Sequence, residues 1–441
     1  MITRQISEFT AQTRFSDLPE NALHILKLSL LDWLAVGIAG ENEPVSQVMK
    51  ETLLQEQGRE IASVFGAVQK VPPRAAALMN GTISHALDYD DTHFMHVGHT
   101  SVVVFSAVIA LAEMQQASGQ EILAAALIGS EVACHMGHWL GNEHYNHGFH
   151  QTATAGAFGA TAAAAHLLKL NEKQTENALG LVSTSAAGLK SQFGTMGKPY
   201  NAGRAASNGV EAVLLTLNGF EARADGLECL QGFADTHAAP ERRSTSLGAL
   251  GSPYVFGDVQ HKFHACCHGL HAALECILQI QEFHAINHNQ VNSIRIWTNP
   301  RWLKVCDIKA PSTGLEAKFR YRLTAAMVIS GIDTASLQSY CHENCTNPTL
   351  VMLRDAVEVI GDADIDDMAA KVEVHLTGGK RLIEKYNLAD QPSLRERESR
   401  VISKSSTLIG ESHAAELWKT INKLESRTIQ QFVDVWKLST E

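Results

Sequence analysis

Thr152–Leu170 reads TATAGAFGATAAAAHLLKL. A β-sandwich needs β-branched and aromatic side chains to cover its faces, and this stretch is mostly alanine and glycine. Alanine is the best helix former, and small side chains let neighbouring backbones come close. The run is therefore expected to be a buried helix lying tightly against others. Small residues, mainly Ala and Gly, dominate the first 250 positions in the same way.

Other helices follow on either side. Leu23, Leu26, Leu30, Leu34 and Ile38 recur at helical spacing, with Ser16 or Asp17 as a cap, Pro19 in the first turn and Gly40 as the stop. Further helices are expected over Ser101–Gln116, Glu121–Leu140, Glu172–Leu189 and Ala205–Leu217. After about residue 285 the texture changes. Val291–Thr298 (VNSIRIWT) and the alternation of Val372, Val374 and Leu376 predict strands, and Gly378–Gly379 a turn. Ala317–Ile329 and Thr349–Ile360 read as helices between them. The predicted fold is mainly α: a large all-helical domain over 1–265, which a C-terminal helix at 405–441 rejoins, and a smaller α+β domain over 266–404. The domain interface is the expected place for a ligand.

Composition narrows the function. The 441 residues carry 36 Lys and Arg against 47 Asp and Glu, a net charge of −11, which disfavours nucleic acid as a partner. An anionic substrate would need a local cationic pocket. Met1–Thr13 is polar and has no leader pattern, and no run of about 18 apolar residues predicts a membrane span. The eight cysteines are scattered without a CxxC, which suits a reducing cytoplasm.

Polar residues gather where helices begin. His85-Ala-Leu-Asp88-Tyr-Asp90-Asp91-Thr92-His93, then His96 and His99, is too polar for a core segment and precedes the helix at Ser101. His144-Tyr145-Asn-His147-Gly-Phe-His150 precedes the alanine-rich helix. Such helix N-termini offer free N–H groups and a positive dipole end to a carboxylate. Gly197-Lys198-Pro-Tyr, with Arg204 beyond, brings a lysine that can bind a carboxylate or act as a base. Lys262, His264, Cys266, His268 and His271 crowd the expected domain boundary. The two HxxHxxH triplets, 93/96/99 and 144/147/150, lack the i, i+4 spacing of helical zinc ligands, and HExxH is absent, so no metal is expected. No phosphate-cradling glycine loop follows a strand and there is no GxSxG, so neither a nucleotide cofactor nor a serine hydrolase is expected.

Several of these strings together resemble the MmgE/PrpD family: LSLLDWLAVGIAG with Asp32, AAALMNGTISHALDYDDTH, GHTSVVVFSAVIALAE, GFHQTATAGAFGATAAAA and GTMGKPYNAGRAASNGVEAVLL, with KFHACCHGLHAALE and TGLEAKFRYRLTAAMVISG fitting less tightly. The resemblance implies a helical domain with an α+β lid domain, usually a homodimer, and C–H acid chemistry beside a carboxylate of a small di- or tricarboxylate, with no metal or organic cofactor. Its activities include 2-methylcitrate dehydratase, cis-aconitate decarboxylase and iminodisuccinate epimerase. The family's motifs fall on Asp88, Asp91 and Thr92, on His99, on His150, on Lys198, and around Lys262, Cys266 and His271. A tyrosine of many members is Leu323 here, a serine after EAKF is Arg320, and a lid proline is replaced near His264–Ala265. These departures, and the compact chain, tilt the expectation toward the epimerase. His99, His150 and Lys198 are the expected acid–base groups, with Asp88 orienting them. Asp91, Thr92, His96, Tyr145, Arg204, Lys262, His264, Cys266 and His271 are the expected substrate contacts. A metal-dependent hydrolase and a non-catalytic carboxylate binder are the competing readings.

Overall fold

The computed structural model describes residues 1–240, 242, 246–307 and 310–437. Its chain divides into two units, Met1–His261 with Val401–Glu441, and Lys262–Arg400. The sequence places the same changes at 265/266 and 404/405.

The first unit is helical because its apolar residues repeat with a helical period and its termini carry the right caps. Ser118 and Glu121 form a reciprocal capping box that starts Gly119–His147. That helix runs past the expected Leu140, kinks at Gly141 (φ 73°) and ends at the left-handed Gly148. The alanine-rich helix spans Gln151–Leu167 and buries nearly every side chain. Glu172–Val182 stops short of the expected Leu189, and Gly197–Leu217 begins before the expected Ala205. Sequence reading missed Ile2–Gln12, whose Ile2, Ile6 and Thr10 face inward, and Pro73–Ser84. A small antiparallel hairpin joins β1 (Ala62–Val64) to β2 (Ala67–Val71).

One expectation needs correcting. Glu20–Gly40 is long and apolar enough to cross a bilayer by length and composition, and 83% of its most apolar window is buried inside the protein. All-round hydrophobicity marks a core helix as readily as a membrane span. Its neighbours pack at backbone distance. A Cβ on Gly81 would stand 2.7 Å from the Cα of Gly203, so these glycines let helices Pro73–Ser84 and Gly197–Leu217 touch. This contact draws the helix bearing Lys198 against the one that leads to His85.

The second unit is α+β. Its sheet runs β4 (Val357–Gly361), β3 (Val291–Thr298), β5 (Ala369–Leu376), β6 (Arg381–Asn387). β3 pairs parallel with β4, Ile294 opposite Val357, and antiparallel with β5, Ile296 opposite Val372. Helix His271–His284 packs on β5 and β6. The expected helix Thr349–Ile360 is helix Pro348–Asp355 followed by strand β4. The β-branched Val357, Val359 and Ile360 pair with β3, and sheet pairing overrides helical continuation. The expected helix Ala317–Ile329 is likewise broken, into Gly314–Ala317 and Tyr321–Ile329, at the extended Arg320.

Candidate active site

Helix Pro73–Ser84 ends at His85, and the chain enters a polar loop that lasts until Ser101 begins the next helix. Two residues of this loop have left-handed backbones, Asp88 (φ 52°) and Val97 (φ 57°). Aspartate tolerates that conformation. A β-branched valine does not, and strain of this kind costs on the order of 1–3 kcal/mol. The surrounding packing holds it. A Cβ on Gly137 would come 2.5 Å from the carbonyl of His96, so only glycine lets the loop lie flat on helix Gly119–His147.

The loop gathers its charges around Asp90. That carboxylate is 1% exposed and lies 2.9 Å from Nδ1 of His85 and 2.9 Å from Nδ1 of His99. Burial by itself would push Asp90 up, but the two imidazoles outweigh it and hold the carboxyl well below the usual carboxylate range. Asp90 therefore hydrogen-bonds Nδ1 of His85 and pairs with Nδ1 of His99, and each Nε2 points away from it. Nε2 of His99 lies 3.4 Å from Oδ1 of Asp88, and the same oxygen is 2.7 Å from the Lys198 ammonium. Asp88 is 32% exposed, so the cluster is sealed at Asp90 and open at Asp88.

His150 stands beside them as the N-cap of the alanine-rich helix. Its ring lies 6.0 Å from that of His85, nearly parallel, and 5.0 Å from Phe193, edge-on. Burial, then the charges of His85 and Lys198, push its pKa well below the usual imidazole value. It is neutral at pH 7. The Asn201 amide donates to its Nδ1 at 3.3 Å, which puts the ring proton on Nε2. His150 is thus a neutral hydrogen-bond donor. Lys198 lies in the first turn of its helix rather than in the expected preceding loop.

The structure thus brings together Asp88, His99, His150 and Lys198. It adds His85 and Asp90, which sequence reasoning placed in the polar cluster without giving either a role. The two conspicuous neighbours, His99 and Asp88, drew attention away from the carboxylate that joins the rings. Arg204 follows half-buried on the helix of Lys198.

Three expected substrate contacts are placed elsewhere. Asp91 is fully buried and its Oδ2 accepts from Ser101 at 2.5 Å. Thr92 is tied by backbone hydrogen bonds to Gln260. His96 is fully buried, its Nδ1 donates to the Ala133 carbonyl at 2.8 Å, and burial lowers its pKa to about 3, so it supplies no cation. The Tyr145 ring is covered by the Lys190 ammonium at 3.5 Å. Lys262, His264, Cys266 and His271 all belong to the second unit and are all buried. There His264 pairs with Thr334 at 2.6 Å and Glu275 at 3.3 Å. Burial pushes the Cys266 thiol up to about 12 and drives His271 well below the imidazole range.

The HxxHxxH triplets do not converge. His93 reaches the Val255 carbonyl and His96 that of Ala133. His144 bonds the His237 carbonyl and Thr154. A different group, His85, Asp88, Asp90 and His99, brings donor atoms within 4.8 Å of one another. Within it Lys198 pairs with Asp88, and Asp90 with Nδ1 of His85 and of His99.

Asp91 yields a pH prediction. Burial, and then the charge of Asp32, push its pKa up to about 7, against about 3.9 in an unfolded chain. The folded form keeps the proton between these values. The stability it contributes is complete below about pH 4 and is lost as pH rises through about 7. Chemical denaturation at pH 5 and pH 8 should show wild type losing on the order of 3 kcal/mol more than Asp91→Asn over that interval. Equal losses would mean that Asp91 holds no such proton.

Comparison with known proteins gives the family. The MmgE/PrpD N-terminal domain family model matches residues 4–245, and that of the MmgE/PrpD C-terminal domain matches residues 264–427. A cis-aconitate decarboxylase of Aspergillus terreus is 29% identical over 67% of this chain and 63% of that protein. A cis-aconitate decarboxylase-like protein of Aspergillus oryzae is 29% identical over 64% of this chain and 61% of that one. Human cis-aconitate decarboxylase is 27% identical over 54% of this chain and 51% of its own length. The matches thus span between half and about three fifths of these relatives.

Proposed function

Because the chain belongs to the MmgE/PrpD family, we propose that it is a lyase that moves a proton at a carbon beside a carboxylate of a small polycarboxylic acid, with decarboxylation of a cis-aconitate-like tricarboxylate as the leading reaction. One observation carries the reading. A single oxygen of Asp88 joins the Lys198 ammonium to Nε2 of His99 above a carboxylate that anchors two histidines.

Each residue then has a task. In such a decarboxylation the C–C bond to one carboxylate breaks and CO2 leaves. The bond's electron pair becomes a new double bond, and the electrons of the old one take a proton at the adjacent carbon. An acid must deliver that proton while cationic and N–H groups balance the remaining carboxylates. Lys198 and His99 are the proton carriers, and Asp88 orients both. Asp90 keeps His99 and His85 with Nε2 directed away from it. Neutral His150 donates its Nε2 proton as a hydrogen bond to a carboxylate oxygen without adding charge.

A second reading is epimerisation of an iminodisuccinate-like aminodicarboxylate, toward which the sequence alone tilted. The observation that favours it lies at the family's tyrosine position, which is Leu323. The nearby Tyr321 hydroxyl is no replacement, since it is buried and bonded to Thr298 at 2.9 Å and to the Gly269 carbonyl at 2.6 Å.

Proton NMR in deuterated buffer, with and without a chelator, tests both. The substrates to offer are cis-aconitate, citrate, 2-methylcitrate and the iminodisuccinate stereoisomers. Consumption of cis-aconitate with a new methylidene and one deuterium on the neighbouring methylene is the expected result. Deuterium entering iminodisuccinate with inversion and no alkene would replace the lyase by the epimerase. Loss of all turnover with chelator would overturn both in favour of a metal enzyme.

A further inference from the structure

Beneath the catalytic loop lies a second polar network that the proton chemistry does not touch. Asp32, in the middle of helix Glu20–Gly40, and Lys404, in the returning segment Val401–Glu441, form an ion pair of 2.5 Å with both side chains 1% exposed. The same ammonium donates to the Tyr89 carbonyl at 2.6 Å and lies 4.0 Å from the centre of the Tyr89 ring. Burial pushes the Asp32 carboxyl above the usual carboxylate range, and the Lys404 charge opposes this. Asp91 in turn takes the Ser101 hydroxyl, at the start of the next helix.

These contacts fall on residues 89 and 91. Between them is Asp90, whose two oxygens orient His85 and His99. Just before them is Asp88, in a left-handed backbone conformation. A buried ion pair is a weak source of stability, because desolvating two charges offsets their attraction. An apolar pair would fill the same space. What the apolar pair lacks is a donor for the Tyr89 carbonyl.

We propose that Asp32 and Lys404 are positioning residues for catalysis: Asp32 holds the ammonium that clamps the Tyr89 carbonyl, next to Asp90, so that one carboxylate can hold two imidazoles in register. Lys404 acts through the loop and touches no substrate. The inference rests on the reaction assigned above only in calling the His85, Asp90 and His99 cluster catalytic.

Lys404→Met alone would leave Asp32 charged and unpaired, and would confuse lost stability with lost function. The decisive variant is therefore Asp32→Asn with Lys404→Met, which is neutral overall. It is expected to unfold at about the wild-type temperature. Yet the downfield Nδ1–H proton resonances of His85 and His99 should broaden or vanish. Misplaced by on the order of 1 Å, the cluster should lose about 100-fold in kcat while KM stays within about threefold. Unchanged resonances together with unchanged kcat, whatever the melting temperature, would overturn the proposal and leave the pair as core packing. The resonances need no substrate. If they vanish in the variant while wild type turns over none of the polycarboxylates offered, the clamp is supported and the assigned reaction fails.

Discussion

Alanine at position 198 is expected to lower turnover by about 10³-fold or more, since it removes a proton carrier and a charge that balances substrate carboxylates. The ammonium meets Asp88 at 2.7 Å, and its side chain is 16% exposed, near enough to the surface for truncation to leave the core intact. The melting temperature should shift by only a few degrees, the scale of about 1 kcal/mol. Arginine should rescue little. Its guanidinium keeps the charge but is larger and planar, and it does not give up a proton at accessible pH. If Lys198→Ala retains more than about a tenth of the wild-type rate, Lys198 is a carboxylate clamp at most and His99 must carry the proton by itself.

Asp90→Asn should be nearly as severe, at about 10²–10⁴-fold in kcat, for a different reason. The carboxylate hydrogen-bonds Nδ1 of His85 and pairs with Nδ1 of His99. An amide has one acceptor oxygen, and its NH2 would oppose the second imidazole donor to donor. One of the two rings must then change tautomer or turn. The variant should keep substrate affinity better than rate, because His150 and Lys198 remain in place. The check is a steady-state comparison together with the imidazole proton spectrum, in which one Nδ1–H signal should survive and one should not. Retention of both signals and of the rate would mean that Asp90 is a structural cap.

The helical unit was legible because its signal is local. The alanine run at 152–170, the leucine spacing at 23–38 and the glycine stops each specify a helix within one or two turns. Strand β4 was not, because Val357–Gly361 follows a helical run directly and only its partner β3 makes it a strand. The same division holds at the site. His99, His150 and Lys198 announce themselves by standing at helix starts. His96 and Asp91 sit in the same polar string and look equivalent to them. Which of them faces outward depends on the turns at Asp88 and Val97 and on the closeness of Gly137, and residue types do not encode those. Asp90 shows the limit most clearly. One carboxylate among three neighbours acquires its role from two histidines, five residues before it and nine after, that fold back onto it. The tilt toward the epimerase rested on the absent tyrosine at Leu323, while the relatives point to decarboxylation.

The clamp on the loop has an origin in time as well as in space. Asp32 and the loop leave the ribosome before Lys404, which follows the whole of Lys262–Arg400. At ordinary elongation speeds that interval lasts roughly 15–60 s. During it the nascent helices carry every proton-transfer group but not the cation that locks them, and Asp32 lies among apolar neighbours without its partner. A carboxyl in that setting takes up a proton. The Lys404 ammonium opposes that uptake only once its segment docks. Catalytic competence then waits for Lys404, so that a chain stopped short of it would be folded in large part and silent.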